Sequence, residues 1–331
     1  MKISVAMCTY RGERYITQQL NSILEQELGV DEIIICDDCS TDSTIKICQS
    51  ILEKSNLSYK IVCNEVNMGF ARNFYQAISL CTGDIIFFCD QDDIWLTNKT
   101  KEMIKVFMNN QDALLVFSNA YVTDEDLNIK GDLYNSLGFK NEFLKNQENA
   151  FKKLLNDNYV TGATSAIKRE LLDFVGDLQN GWAHDYWFAI VAALYGGLVS
   201  IEEPLIYYRQ HSSNTIGIGK KYGVTKIKQL FSKSQTKGNR ENQYAELRLP
   251  LLRYLYKYME NRNLNPEYYL SLKESIVFWD KRKNFSKQGI IKNLLVVLKG
   301  AIHHDQINNR NTNKPLIKDF IKAIALSNRD K

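Results

Sequence analysis

Two hydrophobic periods alternate along the first ninety residues. The run "ISVAMCTY" (Ile3 to Tyr10) is almost unbroken in its apolarity and has strand length, while the segment behind it sets Ile16, Leu20, Ile23 and Leu24 on one face at helical spacing. A second β-branched run, "EIIIC" (Glu32 to Cys36), leads into "DDCSTDST", whose cap-type residues announce a helix with Ile45, Cys48, Ile51 and Leu52 turned inward. "YKIVCN" predicts a third strand, the segment after Gly69 a third helix, and "DIIFFCD" a fourth strand. Strands separated by helices of this length need crossover connections, so the fold class is α/β, with a mainly parallel sheet flanked by helices. The longest uncharged run, Tyr186 to Ile201, is shorter than the roughly 20 residues of a membrane-spanning helix and carries two adjacent glycines. It predicts a buried helix followed by a strand. Beyond Lys220 the pattern reads as helices, among them "YAELRLPLLRYLYKYM" and the apolar stretch from Ile290 to Ile302. The expected division is a domain over residues 1–219 and a helical region over 220–331.

Open α/β sheets bind ligands beyond the carboxyl ends of their strands. Four expected strand ends carry unusual residues: Thr9 and Tyr10, Asp37 and Asp38, Asn64 to Asn67, and Asp90 to Asp93. Any one of these reads equally well as a turn; four together point to one site. The last is the sharpest, because "DQDD" packs three carboxylates into four positions directly after an apolar strand. Like charges this close repel unless a cation or polar ligand holds them. Neither GxGxxG nor GxxxxGK[ST] occurs, so a nucleotide bound here is held by other means.

Charge and cysteine usage narrow the setting. The net charge of +4 conceals 24 Lys+Arg against 9 Asp+Glu after residue 219, a net of +15 that leaves −11 for the residues before it. A basic tail on an acidic head points to nucleic acid or an anionic membrane surface, with a solvated helical face as the plainer reading; of the two partners nucleic acid is the weaker and is not the expected one. All seven cysteines lie between Cys8 and Cys89, an odd number in apolar surroundings, as in reduced thiols of the cytoplasm. The one suggestive spacing, Cys36 to Cys39, has no second CxxC to complete a zinc site. The chain reaches Arg11 before an apolar run of secretory length appears, so the expectation is a cytoplasmic protein, peripheral to the inner face of the plasma membrane.

The blocks "VAMCTYRGERYITQQLNSILEQ", "IIICDDCSTDSTIKI", "NMGFARNFYQAI" and "GDIIFFCDQDDIWLTNK" resemble, in order and spacing, the amino-terminal half of a family 2 glycosyltransferase with the GT-A fold. "DQDDIW", "HDYW" and "YRQHSSN" are most similar to the rhamnosyltransferase-like branch that builds bacterial surface polysaccharides such as O-antigen and capsule. The resemblance covers about residues 1–217. It implies a nucleoside-diphosphate sugar donor, a dTDP- or UDP-sugar, and a Mg²⁺ or Mn²⁺ cofactor. It places Thr9, Tyr10 and Glu13 around the nucleobase, Asp38 as acceptor for a base N–H or ribose hydroxyl, Arg72 and Gln91 on the nucleotide side, and Asp90 near the ribose or assisting the metal. Asp92 becomes the metal ligand, with His211 completing the shell, and Asp93 braces the loop. Asp185 falls where the family keeps its general base, and inversion by direct displacement needs one such group on the acceptor hydroxyl.

Each assignment has a plainer rival. Asp185 reads equally as the cap of the helix that follows, Tyr10 as a core aromatic, Arg72 as a surface arginine, and His211 as a satisfied histidine. At the level of function, a sugar-nucleotide nucleotidyltransferase would carry a glycine-rich basic loop after the first strand, of which "CTYRGERY" is a poor version. A silent glycan-binding module would have no use for both the acidic cluster and Asp185. The resemblance thus implies inverting, metal-dependent transfer of rhamnose or a hexose to a lipid-linked glycan acceptor.

Overall fold

The structure, a computed structural model, describes residues 1–176, 181–212, 214 and 240–283. The expected helix from Ile290 to Ile302 and the boundary at residues 219 and 220 lie outside the described residues. The chain divides into two compact units, one of residues 1–150 and 157–223, the other of 151–156 and 224–331.

The first unit is built on one nine-stranded sheet. Its alternating half consists of β1 (Ile3–Thr9), α1 (Ile16–Leu24), β2 (Glu32–Asp37), α2 (Thr44–Leu52), β3 (Ser58–Cys63), α3 (Phe70–Leu80) and β4 (Ile85–Cys89). Strands β1, β2 and β4 are buried throughout, as expected of parallel strands covered on both faces. Edge strand β3 is half exposed and carries Lys60, a charge that discourages pairing with another chain. Then follow β5 (Ile94–Trp95), α4 (Lys99–Asn109), β6 (Leu115–Thr123), β7 (Ile129–Asp132), α5 (Leu133–Leu137), α6 (Gln147–Leu154), whose residues 151–154 fall in the second unit, β8 (Ser165–Lys168), α7 (Leu171–Val175), α8 (His184–Leu194) and β9 (Leu198–Arg209). The strand order is β3-β2-β1-β4-β8-β6-β9-β5, with β7 beside β6. Because β8 is antiparallel to both β4 and β6, and β6 is parallel to β9, six of the nine strands point the same way.

This common direction decides where the loops meet. β1 and β2 end level, Thr9 opposite Asp37, and Met7 pairs with Cys89, so the segments after β1, β2 and β4 emerge side by side. β9 delivers Arg209 to the same edge. Its antiparallel pairing with β5 sets Ile94 against Tyr207, which brings the preceding Asp92 and Asp93 level with Tyr208 and Arg209. β8 runs the opposite way, so the 3-10 turn Gly162–Thr164 that precedes it also opens at this edge.

The core beneath is formed by Val5, Met7, Ile33, Ile35, Phe87, Val116 and Ala166, none of them exposed. Full burial of a side chain such as Val, Ile or Phe contributes about 1.5–3 kcal/mol. Leu24 departs from the expected stripe and is 38% exposed. At about 100° per residue it sits roughly 80° round from Ile16, at the border of the apolar face.

In the second unit, helices span Arg240–Asn261 and Pro266–Lys283. The second is started by Asn265, whose side chain accepts the Glu267 N–H at 3.0 Å, with Pro266 in the first helical position. Leu249, Leu252, Leu255, Met259 and Leu272 are buried. Among the described residues no helix is long and apolar enough to cross a membrane.

Candidate active site

The loops after β1 and β4 are joined by one side chain. The Gln91 carboxamide accepts the Tyr10 N–H at 2.8 Å and donates to the Tyr10 carbonyl at 3.0 Å, leaving the Tyr10 ring 43% exposed at the sheet edge. A Cβ at Gly12 would stand 2.2 Å from Gln91 Oε1, so a side chain there would displace this amide. Other expected nucleotide contacts are committed within the fold. Buried Thr9 donates to Asp37 Oδ1 at 2.7 Å, and Asp37 also accepts from the Ser40 N–H and hydroxyl, which closes the turn after β2. Asp38 accepts from the backbone N–H groups of Met68 at 2.7 Å and Gly69 at 2.8 Å and from the Asn64 amide at 3.2 Å, so its carboxylate organises the approach to α3. Glu13 accepts the Ser43 N–H at 2.8 Å, next to the start of α2. Arg72 is exposed on the first turn of α3.

The acidic loop after β4 forms the centre. Asp92 Oδ2 lies 2.8 Å from His211 Nε2 and 3.3 Å from the Asn214 amide nitrogen, with the Asp92 side chain 14% exposed. Asp93 is turned inward: its Oδ1 accepts the Arg209 N–H at 2.9 Å, while its buried Oδ2 has no partner among the described residues. Burial, reinforced by Asp92 and Asp90, raises the Asp93 pKa well above the usual carboxylate range. Burial, then Asp92 and Asp185, pushes Asp90 up to about 8. Below them lies Lys99, fully buried, with Nζ donating to the Ala163 carbonyl at 2.7 Å and standing 4.2 Å from the centre of the Trp95 ring. Burial pulls its pKa down to about 7 against the opposing pull of Cys89, Asp93 and Asp90.

Asp185 approaches from the other side, on the first turn of α8, 5% exposed. Its Oδ1 accepts the Tyr186 N–H at 2.7 Å and the Asn158 amide at 3.3 Å, and its Oδ2 accepts the Gly162 N–H at 3.1 Å. One acceptor position on Oδ2 remains. Burial lifts its pKa to about 6, although these three donors oppose the rise. Gly162, whose N–H Asp185 holds, belongs to the turn before β8 that opens at the same edge of the sheet as the acidic loop. His184 stacks on Phe74 with ring centres 4.0 Å apart, neither ring nitrogen has a partner among the described residues, and burial depresses its pKa to about 3, so the ring is neutral.

Asp90, Asp92, Asp185 and His211 thus share one end of the sheet, joined there by Tyr10 and Gln91. Lys99, Arg209, Asn158 and Asn214 belong to the same constellation without having been singled out in the sequence. Lys99 was detectable as a charge in phase with the buried Met103, Ile104 and Phe107, and Arg209 and Asn214 stand inside "YRQHSSN". Cys36 and Cys39 form no disulfide, like the other five cysteines, and burial raises the Cys36 thiol to about 11.

Residues 4–176 match the family model described as Glycosyl transferase family 2. The dTDP-rhamnosyl transferase RfbG of Shigella flexneri is 34% identical over 228 residues, which cover 64% of this chain and 73% of that protein. The UDP-Glc:alpha-D-GlcNAc-diphosphoundecaprenol beta-1,3-glucosyltransferase WfgD of Escherichia coli is 28% identical over 171 residues, 52% of this chain and 62% of that one. Among solved structures, S. aureus TarS 1-349 in complex with UDP-GlcNAc is similar in fold, with a TM-score of 0.59 at 17% identity over 99% of this chain and 89% of that one. The mannosyltransferase PcManGT from Pyrobaculum calidifontis, in complex with GDP-Man and Mn2+, gives a TM-score of 0.50 at 15% identity over 100% and 88%. With the family match spanning more than half its length, this chain belongs to glycosyl transferase family 2 and is a glycosyltransferase with a GT-A fold.

Proposed function

We propose that this glycosyltransferase takes a sugar, rhamnose or a hexose, from a dTDP- or UDP-sugar and transfers it with inversion to a growing lipid-linked glycan of a bacterial surface polysaccharide. The observation that carries the reading is the pairing of Asp92 with His211 at the sheet edge. The similarity to a dTDP-rhamnosyl transferase and to a glucosyltransferase named for a diphosphoundecaprenol acceptor supports both donor class and acceptor class.

Among the described residues no group of three or more His, Cys, Asp or Glu side chains is arranged to hold a metal ion. The Asp92–His211 pair still fits Mg²⁺ or Mn²⁺, because such ions keep several waters and take further oxygens from substrate phosphates, so one or two protein ligands suffice. A cation held there would supply Lewis-acid stabilisation of the charge developing on the departing nucleoside diphosphate. The mannosyltransferase of similar fold, solved with Mn2+, is consistent with this.

The protein's own part is positioning and one proton. Asp185, with a pKa near 6, is ionised at neutral pH, yet burial keeps it basic enough to take a proton from an acceptor hydroxyl through the remaining position on Oδ2. The neutral His184 beside it adds no competing positive charge. The exposed Tyr10 ring, held by Gln91, offers a flat apolar face to a pyrimidine. The basic excess beyond residue 219 supports contact with the anionic inner leaflet, where a lipid-linked acceptor would lie.

The test is a thermal-shift screen of dTDP-, UDP- and GDP-sugars with Mn²⁺. A ligand at 100 times its Kd stabilises by about 2.7 kcal/mol, so a dTDP- or UDP-sugar should raise Tm more with Mn²⁺ than with EDTA. Equal Tm values across all sugar nucleotides, with and without metal, would sink the reading.

A further inference from the structure

We infer that Arg209 is a positioning residue, a latch that holds Asp92 and His211 as a preformed pair of metal ligands; this rests on the metal-dependent reading above. Arg209 is 3% exposed, and its groups reach three separate segments. Nε donates to the Asp92 carbonyl at 2.9 Å, Nη1 to the Glu125 carbonyl at 2.9 Å, and Nη2 to the Gln18 side-chain oxygen at 2.7 Å, while the backbone N–H serves Asp93 at 2.9 Å. The acidic loop, the turn after β6 and helix α1 therefore converge on one guanidinium.

The same residue governs the histidine. His211 follows Arg209 by two positions, and both side chains lie on the Tyr15 ring, the guanidinium carbon 4.5 Å and the imidazole centre 4.7 Å from its centroid. The Arg209 carbonyl also accepts from the Asn214 amide at 3.0 Å, and the Asn214 side-chain oxygen in turn accepts the His211 N–H. One end of Arg209 thus fixes the backbone of Asp92, and the other fixes the turn that presents His211. A lysine has a comparable charge but a single nitrogen, and it cannot donate to three acceptors spread around a planar fork. Groups that orient metal ligands typically change metal affinity by 10–100-fold when lost.

The experiment measures Mn²⁺ binding by the loss of the free-ion EPR signal, with and without UDP, on the full chain. Wild type should bind Mn²⁺ with UDP present, and Arg209→Lys should bind it about 10-fold more weakly or worse with its near-UV CD unchanged. A folded Arg209→Lys that binds within twofold of wild type overturns the latch. Should that variant fail to fold, Gln18→Leu, which removes one acceptor of the fork, is read the same way: weaker Mn²⁺ binding supports the latch and unchanged binding overturns it. A wild-type chain that binds UDP but no Mn²⁺ overturns the metal reading, and the latch with it.

Discussion

Replacing Asp185 by Asn separates the chemistry of the base from the stability of its surroundings. The carboxylate accepts three donors, two on Oδ1 and one on Oδ2. A carboxamide that keeps its oxygen toward Tyr186 and Asn158 turns its NH₂ against the Gly162 N–H, and one unsatisfied buried donor costs about 1–3 kcal/mol. Against this stands the relief of a buried charge. The shift from 3.8 to about 6 means that the ionised side chain destabilises the folded state at pH 7 by about 3 kcal/mol, at 1.36 kcal/mol per pKa unit. The sign follows from a folded pKa raised above the unfolded one: this penalty is absent below about pH 4 and grows as pH rises through 6. The two effects are similar in size and opposite, so Tm of Asp185→Asn at pH 7 should lie within a few degrees of wild type. Transfer should not survive as well. Loss of the general base lowers kcat by about 10²-fold or more, with donor KM nearly unchanged. The wild-type kcat should fall roughly tenfold per pH unit below 6, and the variant should lose that slope. Nucleotide release with the donor found in the screen, measured from pH 5 to 8, reads both. A folded variant within a few-fold of wild type, with the same midpoint near 6, would show that another group takes the proton.

Asp92→Ala should abolish turnover and the Mn²⁺-dependent rise in Tm while leaving the fold intact; full wild-type activity in excess EDTA would remove the metal from the mechanism. Glu32 is buried, and although burial alone would raise its pKa, hydrogen bonds from Ser4, Thr82 and Lys2 hold it down at about 2. It should therefore contribute about 3 kcal/mol of stability, present above about pH 4.5 and lost as pH falls toward 2. Glu32→Gln should lower the urea midpoint at pH 7, and an unchanged midpoint contradicts that account. The basic region should cosediment with vesicles containing anionic lipid and be released by salt as the Debye length contracts from about 10 Å at 0.1 M to 3 Å at 1 M. Charge reversal at Lys281, Arg282 and Lys283 should weaken this binding, and indifference to salt, lipid charge and reversal alike would rule out a membrane role for the region.

Much of the first unit could be read locally. Strands β1, β2 and β4 follow from apolar runs of strand length and helices α1 to α3 from the 3.6-residue period, because both patterns arise between residues a few positions apart. The candidate site at the carboxyl ends of the strands was legible for the same reason: Thr9, Asp37 and Asp90 are where apolar runs stop. How each polar group is used was not local. Asp38 and Glu13 look alike as candidate ligand contacts, and only donors 30 or more residues away, Met68 and Gly69 for one and Ser43 for the other, show that the fold itself employs them. Lys99 fits a helical stripe that a charge should not enter, and its place becomes intelligible once the Ala163 carbonyl and the acidic loop are seen above it. Asp92 and His211 are 119 positions apart, and Asp93 and Arg209 are 116 apart. What unites them is the antiparallel register of a two-residue strand, β5, against β9. Periodicity is a property of neighbours in the chain and survives in any arrangement of the elements, whereas the meeting of Asp92 with His211 depends on which strands lie side by side and in what register, and that is settled by the packing of the whole sheet.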